Sequence, residues 1–170
     1  MKHWLATLAL VSSFSAVEAA DLKLNDPAPT FTLKNQDGKD FDLKSRAGQW
    51  TVLYFYPKAE TPGCTKQACA FRDNIKKIRA QGAEVYGISG DTVEKQAGFH
   101  KSQRLNFDLL ADPDAKVIEQ YGAKMPMVAM SKRWTFIVNP ELKIVSIDKD
   151  VDPVIDSEKI ADQIAELKKK

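Results

Sequence analysis

The sequence predicts an α/β domain with a mixed central sheet flanked by helices and an N-terminal β-hairpin. Two continuous apolar runs, Thr51–Tyr56 and Trp134–Val138, are dominated by β-branched and aromatic residues, the composition of strands buried on both faces. Segments of helical period alternate with strand-like ones through the middle of the chain. The last three elements read strand, strand, helix. That order argues for a mixed sheet with right-handed crossovers.

Residues 1–19 stand apart from this domain, which is expected to occupy residues 20–170. Lys2 and His3 precede an apolar stretch, Trp4–Val11, interrupted by Thr7. Val17 and Ala19 place small residues at −3 and −1 of a cleavage site after Ala19, the pattern of a secretory signal peptide. The stretch is too short to span a bilayer, which takes about 20 residues. The alternative is an uncleaved N-terminal helix. A signal without other sorting sequences predicts export, to a bacterial periplasm.

Within the domain, Phe31–Leu33 and Phe41–Leu43 alternate apolar and polar around an Asp37-Gly38 turn, which predicts a hairpin. Thr51–Tyr56 is the first central strand. A helix follows from Pro62 to about Ala80, with Ala68, Phe71, Ile75 and Ile78 on one face and Gly82 past its end. Glu84–Ser89 is the next strand. Asp91 with Glu94 resembles a capping box for a helix over Thr92–Lys101. Phe107–Leu110 is a short strand, and Asp112-Pro113 signals a helix reaching Tyr121. Lys124–Lys132 has no period and reads as a loop. Trp134–Val138 and Leu142–Asp148 are strands turned by Asn139-Pro140, and Ser157–Leu167 is the closing helix.

Chemistry concentrates in Thr51–Asp73. Pro57 stops the strand, Thr61 suits the N-cap of the helix, and Pro62 suits its first position. Cys64 is then the third helical residue. First-turn N–H groups lack intrahelical partners and the helix dipole is positive there. Both favour an anion, and the thiolate is the reactive form of cysteine. Cys69 lies on the same helix. A Cα separation of roughly 8–9 Å follows for this spacing on an unbroken helix, beyond the roughly 7 Å limit of a disulfide. Joining the two therefore requires the first turns to unwind. Other fates for these cysteines are a buried structural thiol at Cys64, a core cysteine beside Ala68 and Phe71, or a permanent structural disulfide.

Pro57, Thr61 and Cys64 form the pattern P-x-x-x-T-x-x-C, and Y-F-Y-P-K-A-E-T-P-G-C-T-K-Q-A-C-A-F-R-D resembles the Q-type peroxiredoxins, also called bacterioferritin comigratory proteins. The resemblance covers nearly all of the chain after the signal. It implies a thioredoxin-like fold and a thiol-dependent peroxidase acting on hydrogen peroxide and organic hydroperoxides. Cys64 would be the peroxidatic nucleophile and Cys69 the resolving thiol of an atypical two-Cys cycle. Thr61 would bond the thiolate and peroxide, and Pro57 would shield the pocket. Arg133, in R-W-T-F, matches the pocket arginine of the family. Gln67 matches a position for an orienting hydrogen bond. The reductant would be thioredoxin or, in view of export, a periplasmic thioredoxin-like protein. A monomer is expected.

The other readings are an exported thiol–disulfide oxidoreductase or redox carrier, and a non-catalytic module with a structural disulfide. The first fits poorly, since such proteins use C-x-x-C. With 44% hydrophobic and 28% charged residues and a net charge of +2, nothing points to nucleic acid or a membrane surface. His3 lies in the expected signal, so two cysteines and one remaining histidine, His100, fall short of the four ligands of a zinc site, and no nucleotide motif is present. No cofactor or metal is expected.

Overall fold

The computed structural model describes residues 21–169. The expected leader and the domain start at residue 20 lie outside them. The domain is one sheet of order β2-β1-β5-β4-β3-β6-β7. Its elements are β1 (Thr32–Asn35), β2 (Asp40–Asp42), β3 (Trp50–Phe55), α1 (Pro62–Ala80), β4 (Ala83–Ser89), α2 (Val93–Ser102), β5 (Asp108–Ala111), α3 (Lys116–Gln120), β6 (Trp134–Val138), β7 (Ile144–Asp148) and α4 (Asp156–Leu167). β3, β4 and β5 run parallel, and every other pairing is antiparallel. The mixed sheet and N-terminal hairpin are as expected.

The unbroken apolar run of β3 has a simple cause. Val52 and Tyr54, with Tyr56 just beyond the strand, face a core shared with α1, α2 and α4, which contribute Phe71, Phe99 and Ile164. Leu53 and Phe55 face a second core with Ile118, Tyr121 and Phe136, on the side of α3. Both faces of the strand are therefore dry, and alternation disappears from its sequence.

Four boundaries depart from the sequence reading. Thr92, not Asp91, caps α2 by accepting from Lys95 N at 3.4 Å. The Asp91 carboxylate instead accepts from Ala59 N at 2.7 Å and from Ser89 Oγ at 2.8 Å. α3 starts at Lys116 rather than Pro113, because Ala115 takes the left-handed region at φ 53° and Asp112 accepts from Lys116 N and Ile118 N. β7 starts at Ile144, after a turn in which Leu142 has φ 57°. Leu43 leaves the hairpin for a single 3-10 turn, Leu43–Arg46. The Lys124–Lys132 loop is pinned by a Lys124–Ser131 bridge and by Met125 N donating to Met130 O at 2.8 Å. Among the described residues no helix is long and apolar enough to cross a membrane.

Candidate active site

β3 ends at Phe55, and the chain turns through Lys58–Glu60 before α1 begins. Glu60 makes the turn with φ 63°. The turn is tied down from behind. Tyr56 Oη donates to Gln96 Oε1, and Gln96 Nε2 donates to Ser89 Oγ at 2.9 Å. Ser89 Oγ donates to Asp91, which also holds Ala59 N. This buried relay fixes the loop that delivers α1.

Thr61 is the N-cap residue by backbone conformation, φ −77° and ψ 150°, and Pro62 is at the first helical position. The expected capping bond is absent. Thr61 Oγ1 donates to Lys58 O at 3.0 Å instead, so its hydroxyl serves the turn rather than the helix or the Cys64 sulfur. Cys64 is third in α1 and only 1% exposed. Pro57 is half-buried at the strand exit.

Arg133, directly before β6, reaches across to the start of α1. Its Nη2 lies 3.4 Å from Cys64 Sγ, and its Nη1 donates to Gln67 Oε1. Gly63 makes room: a Cβ there would lie 3.3 Å from Nη2. Gln67 is fully buried and donates through Nε2 to Asp156 Oδ2 at 2.9 Å. Thr135 Oγ1 donates to the same oxygen at 2.9 Å. Burial pushes the Asp156 carboxyl above the ordinary value of 3.8, and those two hydrogen bonds work against the rise. Lys132 stands away from the sulfur, 4.8 Å from the centre of the Trp134 ring, with Lys149 at 4.5 Å. Trp134 is a packing residue.

Cys69 is half-buried, unlike its neighbours Ala68 and Phe71, which are wholly buried. It is therefore not a core cysteine. Its Sγ donates to Gln103 Oε1 at 3.7 Å, and Arg72 Nη1 donates to Gln103 O at 2.7 Å. Both thiols are free and α1 is continuous between them. A permanent disulfide is excluded in this conformation.

Of the predicted residues, the fold brings Cys64, Arg133 and Gln67 into one contact set. Pro57 and Thr61 lie in the turn that leads into α1, and Cys69 sits apart. Gly63, Thr135, Asp156 and the Asp91 relay were not identified from sequence. Only Gly63 carried a signal, as a poor helix former inside the first turn.

The arrangement can hold a reactive sulfur, buried from bulk water, with a fixed cation at its side. A model of the AhpC/TSA family matches residues 24–147. A Populus jackii protein, peroxiredoxin Q, chloroplastic, is 43% identical over 136 residues, covering 78% of this chain and 64% of its own length. Escherichia coli peroxiredoxin Bcp is 42% identical over 135 residues, covering 76% of this chain and 86% of itself. A solved structure of the Xanthomonas campestris bacterioferritin comigratory protein, reported for its alkyl peroxide reduction activity, superposes with TM-score 0.78 at 28% identity, covering 87% and 98% of the two chains. Fold, spacing and relatives agree: the chain belongs to the AhpC/TSA family, and within it to the peroxiredoxin Q and Bcp group of thiol peroxidases.

Proposed function

We propose that Cys64 is the peroxidatic residue, Cys69 its resolving partner and Arg133 the group that polarises the peroxide. The observation that carries this reading is the Arg133 guanidinium 3.4 Å from a buried sulfur in the first turn of α1. The Cys64 thiolate attacks one oxygen of a hydroperoxide. The O–O bond breaks, and the departing oxygen takes a proton to leave as water or alcohol. Cys64 becomes a sulfenic acid. A cation at the sulfur also lies beside the oxygens, where charge develops. Pro57 keeps water from the sulfenic acid, and Thr61 buttresses the turn.

Cys69 then attacks the Cys64 sulfur, the S–O bond breaks, and water leaves. On the continuous helix the two sulfurs start too far apart, so the turns between them open before the S–S bond forms. A dithiol protein of the thioredoxin type restores the two thiols by exchange. The leader supports export, to a periplasm in which that donor is a thioredoxin-like protein, and the working form is a monomer.

Stopped-flow mixing of the reduced protein with hydrogen peroxide, followed by mass, tests the reading. A fast single turnover with loss of two hydrogens, absent in Cys64→Ser, is expected. A rate no faster than that of a free thiol overturns it.

A further inference from the structure

A carboxylate buried behind the arginine takes no part in the chemistry above. We propose that Asp156 is a positioning residue for the peroxide step: acting through the Gln67 amide, it fixes the Arg133 guanidinium against the Cys64 sulfur. The proposal rests on the assignment of Cys64 as the attacking residue.

The argument is one of donors and acceptors. A guanidinium can only donate, and an ionised carboxylate can only accept. The Gln67 amide lies between one of each. Asp156 Oδ2 takes its Nε2–H at 2.9 Å, so the amide oxygen is left facing Arg133, where Nη1 donates to it. Thr135 Oγ1 donates to the same Asp156 oxygen at 2.9 Å and keeps that carboxylate in place. Gln67, Thr135 and Asp156 are 0%, 1% and 6% exposed, so water does not substitute for any of them. Among the described residues no carboxylate pairs directly with Arg133. Its side-chain hydrogen bonds go to Gln67 on one side and to the Cys64 sulfur on the other.

Without Asp156 nothing sets the sense of the amide. Turned over, its NH2 would face the guanidinium, donor against donor, and the arginine would leave the sulfur. The groups come from three parts of the fold. Gln67 is on α1, Asp156 opens α4, and Arg133 and Thr135 lie before and in β6. The guanidinium position is therefore set by the docking of α4 as well as by its own loop.

The test is the second-order rate constant for hydrogen peroxide, measured by stopped flow on Asp156→Ala, Gln67→Ala and the double variant. Asp156→Ala is expected to react about tenfold more slowly than the wild type. The double variant should be no slower than Gln67→Ala alone, because both changes remove one path. Ser157→Ala is the control. It removes another α1–α4 hydrogen bond, Asn74 Nδ2 to Ser157 Oγ at 3.1 Å, and should keep the wild-type rate. Asp156→Asn keeps the volume and one acceptor, and should lose about threefold. It takes the place of Asp156→Ala in the cycle if the alanine variant does not fold. A wild-type rate in the Asp156 variant, additive losses in the double variant, or an equal loss in Ser157→Ala overturns the proposal. A wild-type protein with no fast step overturns the Cys64 assignment and this proposal with it.

Discussion

Gly63→Ala should make the protein more stable and less reactive at once. The residue has no unusual backbone angle, so alanine fits the helix there. Replacing glycine inside a helix gains at most about 1 kcal/mol, and in a domain of this size that raises Tm by about 2–4 °C. The new Cβ would stand 3.3 Å from Arg133 Nη2, so the guanidinium must retreat by a few tenths of an ångström. It starts 3.4 Å from the sulfur. At an effective dielectric constant of about 20, a retreat of roughly 0.4 Å weakens a thiolate–guanidinium attraction by about 0.5 kcal/mol. That is roughly a twofold loss in the rate of peroxide reduction. The assay pairs a thermal melt with stopped-flow turnover on the same preparation. An unchanged or faster rate alongside the raised Tm would refute the claim that Gly63 sets the approach of Arg133. A lowered Tm would refute the claim that the site tolerates a side chain.

Removing the cation itself has a larger effect. Arg133→Met should slow the peroxide step by about 10²–10³-fold while leaving the fold intact, as checked by circular dichroism. Cys69→Ser should react with peroxide at the wild-type rate yet stop at the Cys64 sulfenic acid, seen by mass as a gain of one oxygen and trapped by dimedone. Asp112 is held above its ordinary 3.8 by burial, against the pull of the backbone N–H groups of Lys116 and Ile118. A carboxyl raised in the folded state stabilises the fold below its unfolded value and loses that contribution as pH climbs through the folded one. Denaturant midpoints should therefore show the wild type losing stability relative to Asp112→Asn as pH rises from below 3.8 through the folded value. Parallel pH profiles for the two proteins would count against it.

The strands and the reactive helix were legible because their signals are local. Thr51–Tyr56 has too many branched and aromatic residues for anything but a buried strand. Pro62 and Gly82 bracket α1 as start and stop. The misplaced boundaries were set by tertiary contacts and backbone turns. Asp91 is a good cap in isolation, but Ala59 N and Ser89 Oγ claimed it, whereas Asp112 does hold first-turn amides of α3, across a left-handed Ala115 that delays the helix start to Lys116. In the site, Cys64 was visible from its helix position. Arg133 was found through the likeness of R-W-T-F to the family pattern. Asp156 was invisible for a different reason. It follows Ile155 and precedes Ser157 at an ordinary helix start, and its meaning lies in Gln67, which is 89 residues away. No spacing in the chain announces such a contact.

The placement of both cysteines on one unbroken α1 has a thermodynamic consequence. The segment that must open to join them contains Gln67 and Ala68, each wholly buried. On the proposed cycle the reduced chain keeps their hydrogen bonds and packing, and the oxidised chain gives them up. Electrons therefore behave as a ligand of the folded helix, and binding and folding are linked. Each increment of stability that the closed helix holds over the opened one makes the disulfide a stronger oxidant. The conversion is about 30 mV for every 1.4 kcal/mol. On the chemistry proposed here, the packing of α1 against α4 helps set how readily a donor protein can recharge the molecule.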